Sequence, residues 1–268
     1  MAEKKTQDVV QEEVSSASVP AGVRLRAVPA VRRATAILRH LARHAHGLTV
    51  TCIANELDII PSTCLHILRE LVAARLVAFE KSGKTYRLGL GLLVLANGLG
   101  RQDVFIQAAQ PRLATFAHDH GVSVSAQQRD GDDVVIVAAV TAGEGLEAPL
   151  GKRLPLLSAA GGRLFAGSCE WTATQMRAQF NRVRWQKAPS YDAWLNEVGL
   201  AKSRGHAVDD GNFRLGITSI AAGVLSRDGS VARAISINVV SAQINVKRIA
   251  AYVRALQATS ADIASALH

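Results

Sequence analysis

Residues 47 to 88 carry two short helical patterns joined by a tight polar turn, then a strand, a glycine-containing turn and a second strand, an order that few folds accommodate. Thr49 is placed to cap the first helix, because its hydroxyl can accept from amides freed at the first turn. Ile53, Ala54 and Leu57 follow at helical spacing and face a core. Pro61 is excluded from a helix interior but fits a first turn, so it marks where the second helix begins. There Leu65, Leu68, Leu71 and Val72 make one apolar stripe, while Ser62, Thr63, His66 and Arg69 lie on other faces. Upstream, Val31, Ala34, Ile37, Leu38 and Leu41 form a supporting helix. Downstream, residues 76 to 88 read as a hairpin with a cationic tip at Lys81, Ser82, Gly83 and Lys84. The order of elements is that of a winged helix-turn-helix.

Charge is concentrated on the same segment. Residues 24 to 90 hold eleven Lys and Arg against four Asp and Glu, a net +7 out of +9 for the whole chain. An amphipathic helix with a charged outer face usually borders nothing but solvent. A cationic wing and an arginine-flanked supporting helix on either side point instead to double-stranded DNA. The expected contacts are Arg32, Arg33, Thr49, Thr51, Ser62, Thr63, Cys64, His66, Arg69, Lys81 and Lys84.

The 268 residues suffice for one small and one medium domain. Residues 1 to 23 are polar, lack apolar periodicity and read as a flexible tail. No basic region followed by an apolar block opens the chain, so no signal peptide is expected. Leu88 to Gly100, the longest apolar stretch, is shorter than the ~20 residues that span a bilayer and contains four glycines. These features predict a cytoplasmic protein that does not enter a membrane. Residues 24 to 89 form the winged module and residues 90 to 104 a linker helix. Leu90, Leu92, Leu93, Val94, Leu95, Ala96 and Leu99 make that helix apolar almost all round, so it must be covered, and a second subunit is the expected cover.

Residues 105 to 268 change character. Asp103 caps a helix through Phe116 that ends at Gly121 and is interrupted by Pro111. Val122, Val124 and Ala126 then alternate with polar residues, and residues 133 to 140 form a strand after the Asp130-Gly131-Asp132 turn. Residues 217 to 225 and 231 to 240 are two more strands around Ser226 to Gly229. Helices lie near 161 to 167, 172 to 180 and 191 to 204. Ile249, Val253, Leu256, Ser260, Ile263 and Leu267 mark a last helix with a spacing that suits a coiled coil or, more often at this length, cover for a sheet. The fold class is α+β.

Catalytic patterns are incomplete. His40 and His44 have the spacing of a zinc-binding helix, but Leu41 occupies the place of the glutamate base in HExxH. His118 and His120 lack a third ligand, and Gly89-Leu90-Gly91 lacks the third glycine of a dinucleotide loop, Val94 standing there. Cys52, Cys64 and Cys169 have no pairing or CxxC spacing and read as reduced thiols. No cofactor, metal or catalytic residue is called for.

Two further segments carry a likeness. Residues 151 to 166, Gly151-Lys152-Arg153-Leu154-Pro155 through Phe165-Ala166, and residues 204 to 224, from Arg204-Gly205-His206 through Asp209-Asp210 to Gly223-Val224, stand in order behind the winged helix. From about Arg24 to the C-terminus the chain resembles IclR-family transcriptional regulators. That resemblance implies a GAF-like second domain, an antiparallel sheet flanked by helices with a pocket for a small organic acid, aromatic or short aliphatic, in a homodimer or homotetramer on a palindromic operator that controls catabolic genes, more often as a repressor. The residues support the pocket independently. A helix opening at Ala160-Gly161 offers free amides and its dipole to a carboxylate. Ser158, Ser219, Ser236 and Asn238 can donate, and Leu146, Leu150, Leu156, Phe165 and Val224 can line an apolar wall, with Asp209 and Gly223 from the second segment. The chain departs from the family pattern at His66, where an arginine is usual, at Asn212, where an acid is usual, and at Gly223 and Asn238, where larger or hydroxyl residues are common. A different base preference and a roomier pocket are expected. The alternative is a GAF-type small-molecule enzyme or redox sensor with a vestigial DNA-binding domain.

Overall fold

The computed structural model describes residues 28 to 143 and 145 to 267. The expected tail, with Arg24 and Arg26, lies outside the described residues. The chain divides between Gln102 and Asp103 into two compact units.

In the first unit, α1 (Pro29–Leu41) is followed by β1 (Leu48–Thr49), α2 (Val50–Glu56), α3 (Pro61–Ala73), β2 (Val77–Glu80), β3 (Thr85–Leu88) and α4 (Gly91–Gln102). Thr49 caps α2, its side chain accepting from the Cys52 amide, and Pro61 opens α3. Ile37, Leu41, Ile53, Ala54, Cys64, Leu68 and Val77 close one core between the three helices and the sheet. The hairpin is antiparallel from Val77 opposite Leu88 to Glu80 opposite Thr85. The two-residue β1 adds to it along β3, which the sequence pattern did not show because two residues carry no periodicity. A Cβ on Gly89 would overlap the Arg75 carbonyl, so Gly89 is there to let the wing close on the end of α3.

In the second unit, α5 (Val104–His120) leads into β4 (Val122–Asp130) and β5 (Asp133–Gly143). Then come β6 (Arg153–Pro155), α6 (Ala159–Ala166), α7 (Ala173–Arg182), α8 (Tyr191–Arg204), β7 (His206–Asp210), β8 (Ile217–Leu225), β9 (Val231–Val240) and α9 (Val246–Ala266). Six strands form one antiparallel sheet in the order β6-β5-β4-β9-β8-β7. Asp103 caps α5 through the amides of Phe105 and Ile106, and the helix runs unbroken through Pro111, an exposed position.

Helices α5 and α9 cover one face of this sheet, with Leu113, Phe116, Leu256 and Ile263 against Val124, Ile220 and Ile237. The repeat in α9 is thus cover for a sheet. Helix α6 covers the other face with Leu164 and Phe165 against Val134, Ala221 and Ala234. Because both faces are covered, Ser123 and Ser125 are buried along with Val122 and Val124, although their alternation reads as one wet face. Among the described residues, no helix is long and apolar enough to cross a membrane.

Candidate DNA-binding surface and effector cavity

Helix α3 splits as its sequence demands. Cys64, Leu68 and Leu71 are buried, while Ser62, His66 and Arg69 are exposed and Thr63 is half-buried. Cys64 has no exposed surface, so the expectation that it touches DNA is corrected: its position one residue after Thr63 turns it into the core. Arg32 and Arg33 are exposed on α1, and Thr49 and Thr51 at the start of α2. Lys81 and Lys84 are exposed in the wing turn, where Glu80 accepts from the amide and hydroxyl of Ser82 and Lys84 adopts a left-handed φ of 50°. Arg75 and Arg87, absent from the expected contacts, are also exposed.

The second unit contains a cavity of about 70 Å³ between the sheet, the β5–β6 connection and the start of α6. That is roughly five times the space one water requires, enough for a small organic molecule. Five of the expected residues meet there: Leu146, Ser158, Asp209, Ser219 and Asn238. Val134, Ile136, Phe213 and Ile217 supply apolar wall, and Lys152, Arg214 and Gln127 supply polar groups. Lys152 and Arg214 were within reach of the sequence reading, since each lies in or beside a quoted segment. Nothing in their spacing announces that two cations converge on one cavity.

Ser158 precedes α6, yet its hydroxyl caps nothing; it is buried and has no hydrogen-bond partner. Ala159 follows with a φ of 53°, a conformation that costs a non-glycine residue on the order of 1 kcal/mol. The unpaired hydroxyl of Ser158 and the strained first residue of α6 thus fall together at the cavity wall. Burial lowers the Lys152 pKa, and the charge of Arg214 lowers it further. An anion between the two would relieve both effects.

A buried ion-pair network holds this wall. Arg163, 1% exposed, pairs with Asp209 at 2.9 Å and with Glu197. It also donates to the Ala159 carbonyl and to the Asn212 side chain. Asp209 in turn accepts from the Phe213 amide at 3.0 Å. One guanidinium therefore fixes both the left-handed residue and the loop that carries Phe213 and Arg214.

Eight expected residues do not line the cavity, each for a packing reason. Leu150 is 69% exposed. Leu156, Ala160 and Phe165 are buried in the core under α6, and Val224 lies in the core with α5 and α9. A Cβ on Gly161 would stand 2.5 Å from the Gln127 carboxamide oxygen, so Gly161 lets strand and helix approach. Gly223 packs against Val231, and its lack of a side chain adds no room to the cavity. Ser236 is bonded to Ser125 and Gln127 and borders a neighbouring cavity of about 10 Å³.

A winged helix with a cationic exposed face, followed by an α+β unit with a partly open cavity, defines a DNA-binding transcriptional regulator that responds to a small molecule. The family model described as IclR helix-turn-helix domain matches residues 30–81, and the one described as bacterial transcriptional regulator IclR C-terminal matches residues 97–265. The chain belongs to the IclR family of bacterial transcriptional regulators, whose characterised members are regulators and not enzymes. It is 28% identical over 244 residues to the HTH-type transcriptional repressor AllR of Escherichia coli K12, covering 89% of this chain and 90% of AllR. An IclR transcriptional regulator from Alicyclobacillus acidocaldarius has the same fold, with a TM-score of 0.78, 23% identity, and coverage of 90% of this chain and 100% of that one. An IclR homolog of Microbacterium hydrocarbonoxydans, solved in complex with 4-hydroxybenzoate, matches with a TM-score of 0.72 at 18% identity, covering 89% of this chain and 98% of that one.

Proposed function

We propose that the chain is a repressor of catabolic genes whose effector is a small organic acid, bound with its carboxylate between the start of α6 and the Lys152–Arg214 pair. The observation that carries this reading is the buried, unpartnered Ser158 hydroxyl at a helix start beside two cations. The repressor role is supported by the AllR relatives, and an aromatic acid by the Microbacterium complex. Raised pKa values at Cys52, Cys64 and Cys169, from a carboxylate hydrogen bond in the first and burial in the others, leave little thiolate for redox sensing.

In this reading residues 24 to 89 bind DNA, residues 90 to 104 link, and residues 105 to 268 sense the acid. Exposed Leu90, Leu93, Val94, Leu95 and Leu99 support a homodimer closed through α4, with tetramers formed by the second units. Two recognition helices about 34 Å apart then read a palindromic operator. The test is calorimetry and gel retardation with short aliphatic and aromatic carboxylates on the native upstream region. A binding acid should change operator affinity, and operator should change acid affinity by the same factor. If no carboxylate binds, or if binding survives Ser158→Ala and Lys152→Met unaltered, the assignment of this cavity fails.

A further inference from the structure

A second cluster of ionisable side chains stands at the junction of α1 and α2 in the winged unit. His40 stands in the last turn of α1 and His44 three residues beyond its end, with their ring centroids 4.6 Å apart, and Cys52 and Glu56 stand four residues apart on one face of α2. The two pairs face one another. His40 Nε2 lies 3.0 Å from a Glu56 carboxylate oxygen, and the Cys52 thiol lies 3.0 Å from the other oxygen. Donor atoms of His40, His44 and Glu56 all fall within 4.8 Å of one another. Metal–nitrogen and metal–oxygen bonds of about 2.0–2.1 Å place tetrahedral donors about 3.4 Å apart, so small side-chain adjustments suffice.

Two independent observations point to a ligand. His40 is only 6% exposed, and its Nε2 makes no hydrogen bond of proper geometry despite the nearby carboxylate. His44 is oriented by its Nδ1, which donates to the His40 carbonyl at 2.9 Å and leaves Nε2 as the ligating atom. A backbone carbonyl behind the distal ring nitrogen is the usual outer support of a metal-bound histidine. Leu41, which rules out the glutamate base of a zinc hydrolase, has no bearing on a structural site.

We propose that His40, His44, Glu56 and Cys52 form a Zn²⁺ site that clasps α1 to the first helix of the DNA-binding motif. Nitrogen, carboxylate and thiolate donors in a four-ligand set suit this borderline-soft cation and not Mg²⁺ or Ca²⁺. On binding, the Cys52 proton passes to solvent and the thiolate replaces its hydrogen bond to Glu56 with a bond to the metal. The clasp would stabilise the winged unit by mass action, without touching the effector cavity.

The experiment is Co²⁺ titration of the chelator-treated full-length protein. One Co²⁺ per chain should bind with the visible bands of tetrahedral coordination and a near-ultraviolet sulfur-to-metal band, and Zn²⁺ should bleach both. Cys52→Ser should retain the visible bands and lose the sulfur band. His44→Ala, a change at an exposed residue that spares the fold, should weaken binding at least about tenfold, the loss seen when even an outer support is removed. Absence of tetrahedral bands at equimolar Co²⁺ overturns the proposal. So do spectra and affinity that are the same in His44→Ala, Cys52→Ser and the unaltered chain, because the metal would then sit elsewhere.

Discussion

Arg163 shows what a sequence conceals at the scale of one residue. It stands in a run of Ala, Gly, Leu and Phe on a short helix, is buried, and finds its side-chain partners 34 to 49 positions away. Pairwise chemistry across such separations has no local signature. Removing one member of a buried pair leaves the other charged and unpaired, so Arg163→Met should destabilise the second unit by about 3–5 kcal/mol in urea unfolding. A loss below 1 kcal/mol would show that Asp209 finds solvent unaided. Lys152 gives a second expectation. Burial first, and Arg214 second, lower its pKa in the free protein, and a bound carboxylate raises it again. Acid binding therefore takes up a proton as pH approaches the lowered value. Affinity should be flat at lower pH and fall as pH rises through it. Calorimetry in buffers of different ionisation heat measures that uptake, and Lys152→Met should abolish it.

At the scale of elements, legibility followed length and punctuation. Strands β8 and β9 are found at 217–225 and 231–240, as expected, because the turn at Ser226 to Gly229 brackets two long apolar runs. Caps at Thr49 and Asp103 were equally plain, since one hydroxyl or carboxylate ahead of an apolar period has a direct geometric consequence. Short edge strands were not. Strands β6 and β7, of three and five residues, carry too few side chains for a period, and only their membership of longer motifs drew attention to them. The cavity was half legible for the same reason: hydroxyls at strand and helix ends could be placed, whereas the inward or outward turn of Leu150, Leu156 and Gly223 depends on a register that sequence alone leaves open. Helix α4 makes a sharper prediction. None of its residues is buried, and Leu95 is 61% exposed, so Leu95→Glu disturbs no buried packing within the chain. If α4 is a subunit interface, sedimentation velocity should show the assembly dissociating while circular dichroism stays unchanged. An unchanged sedimentation coefficient would place the interface elsewhere.

For the whole molecule the deciding quantity is the distribution of charge. A net +7 on residues 24 to 90 leaves only +2 for the other 201 positions, so the attraction to a polyanion belongs to the winged unit. The second unit, residues 103 to 268, holds 17 Lys and Arg against 14 Asp and Glu, a net +3 spread over more than twice as many residues. Each Lys or Arg that neutralises a phosphate releases a condensed counterion, which gives a slope of about −0.9 in log affinity against log salt for every contact. Arg69, Lys81 and Lys84 are exposed cations on α3 and the wing. If each meets a phosphate, replacing any one by Ala should make the slope shallower by about 0.9 and weaken all sequences alike. His66 belongs to the other class. Its ring can donate to or accept from a base edge but lacks the fork that arginine presents to guanine. His66→Arg should therefore leave the salt slope nearly as it was while shifting the preferred site toward guanine in a selection assay. A change in slope with no change in preferred sequence would move His66 from reading bases to holding the backbone.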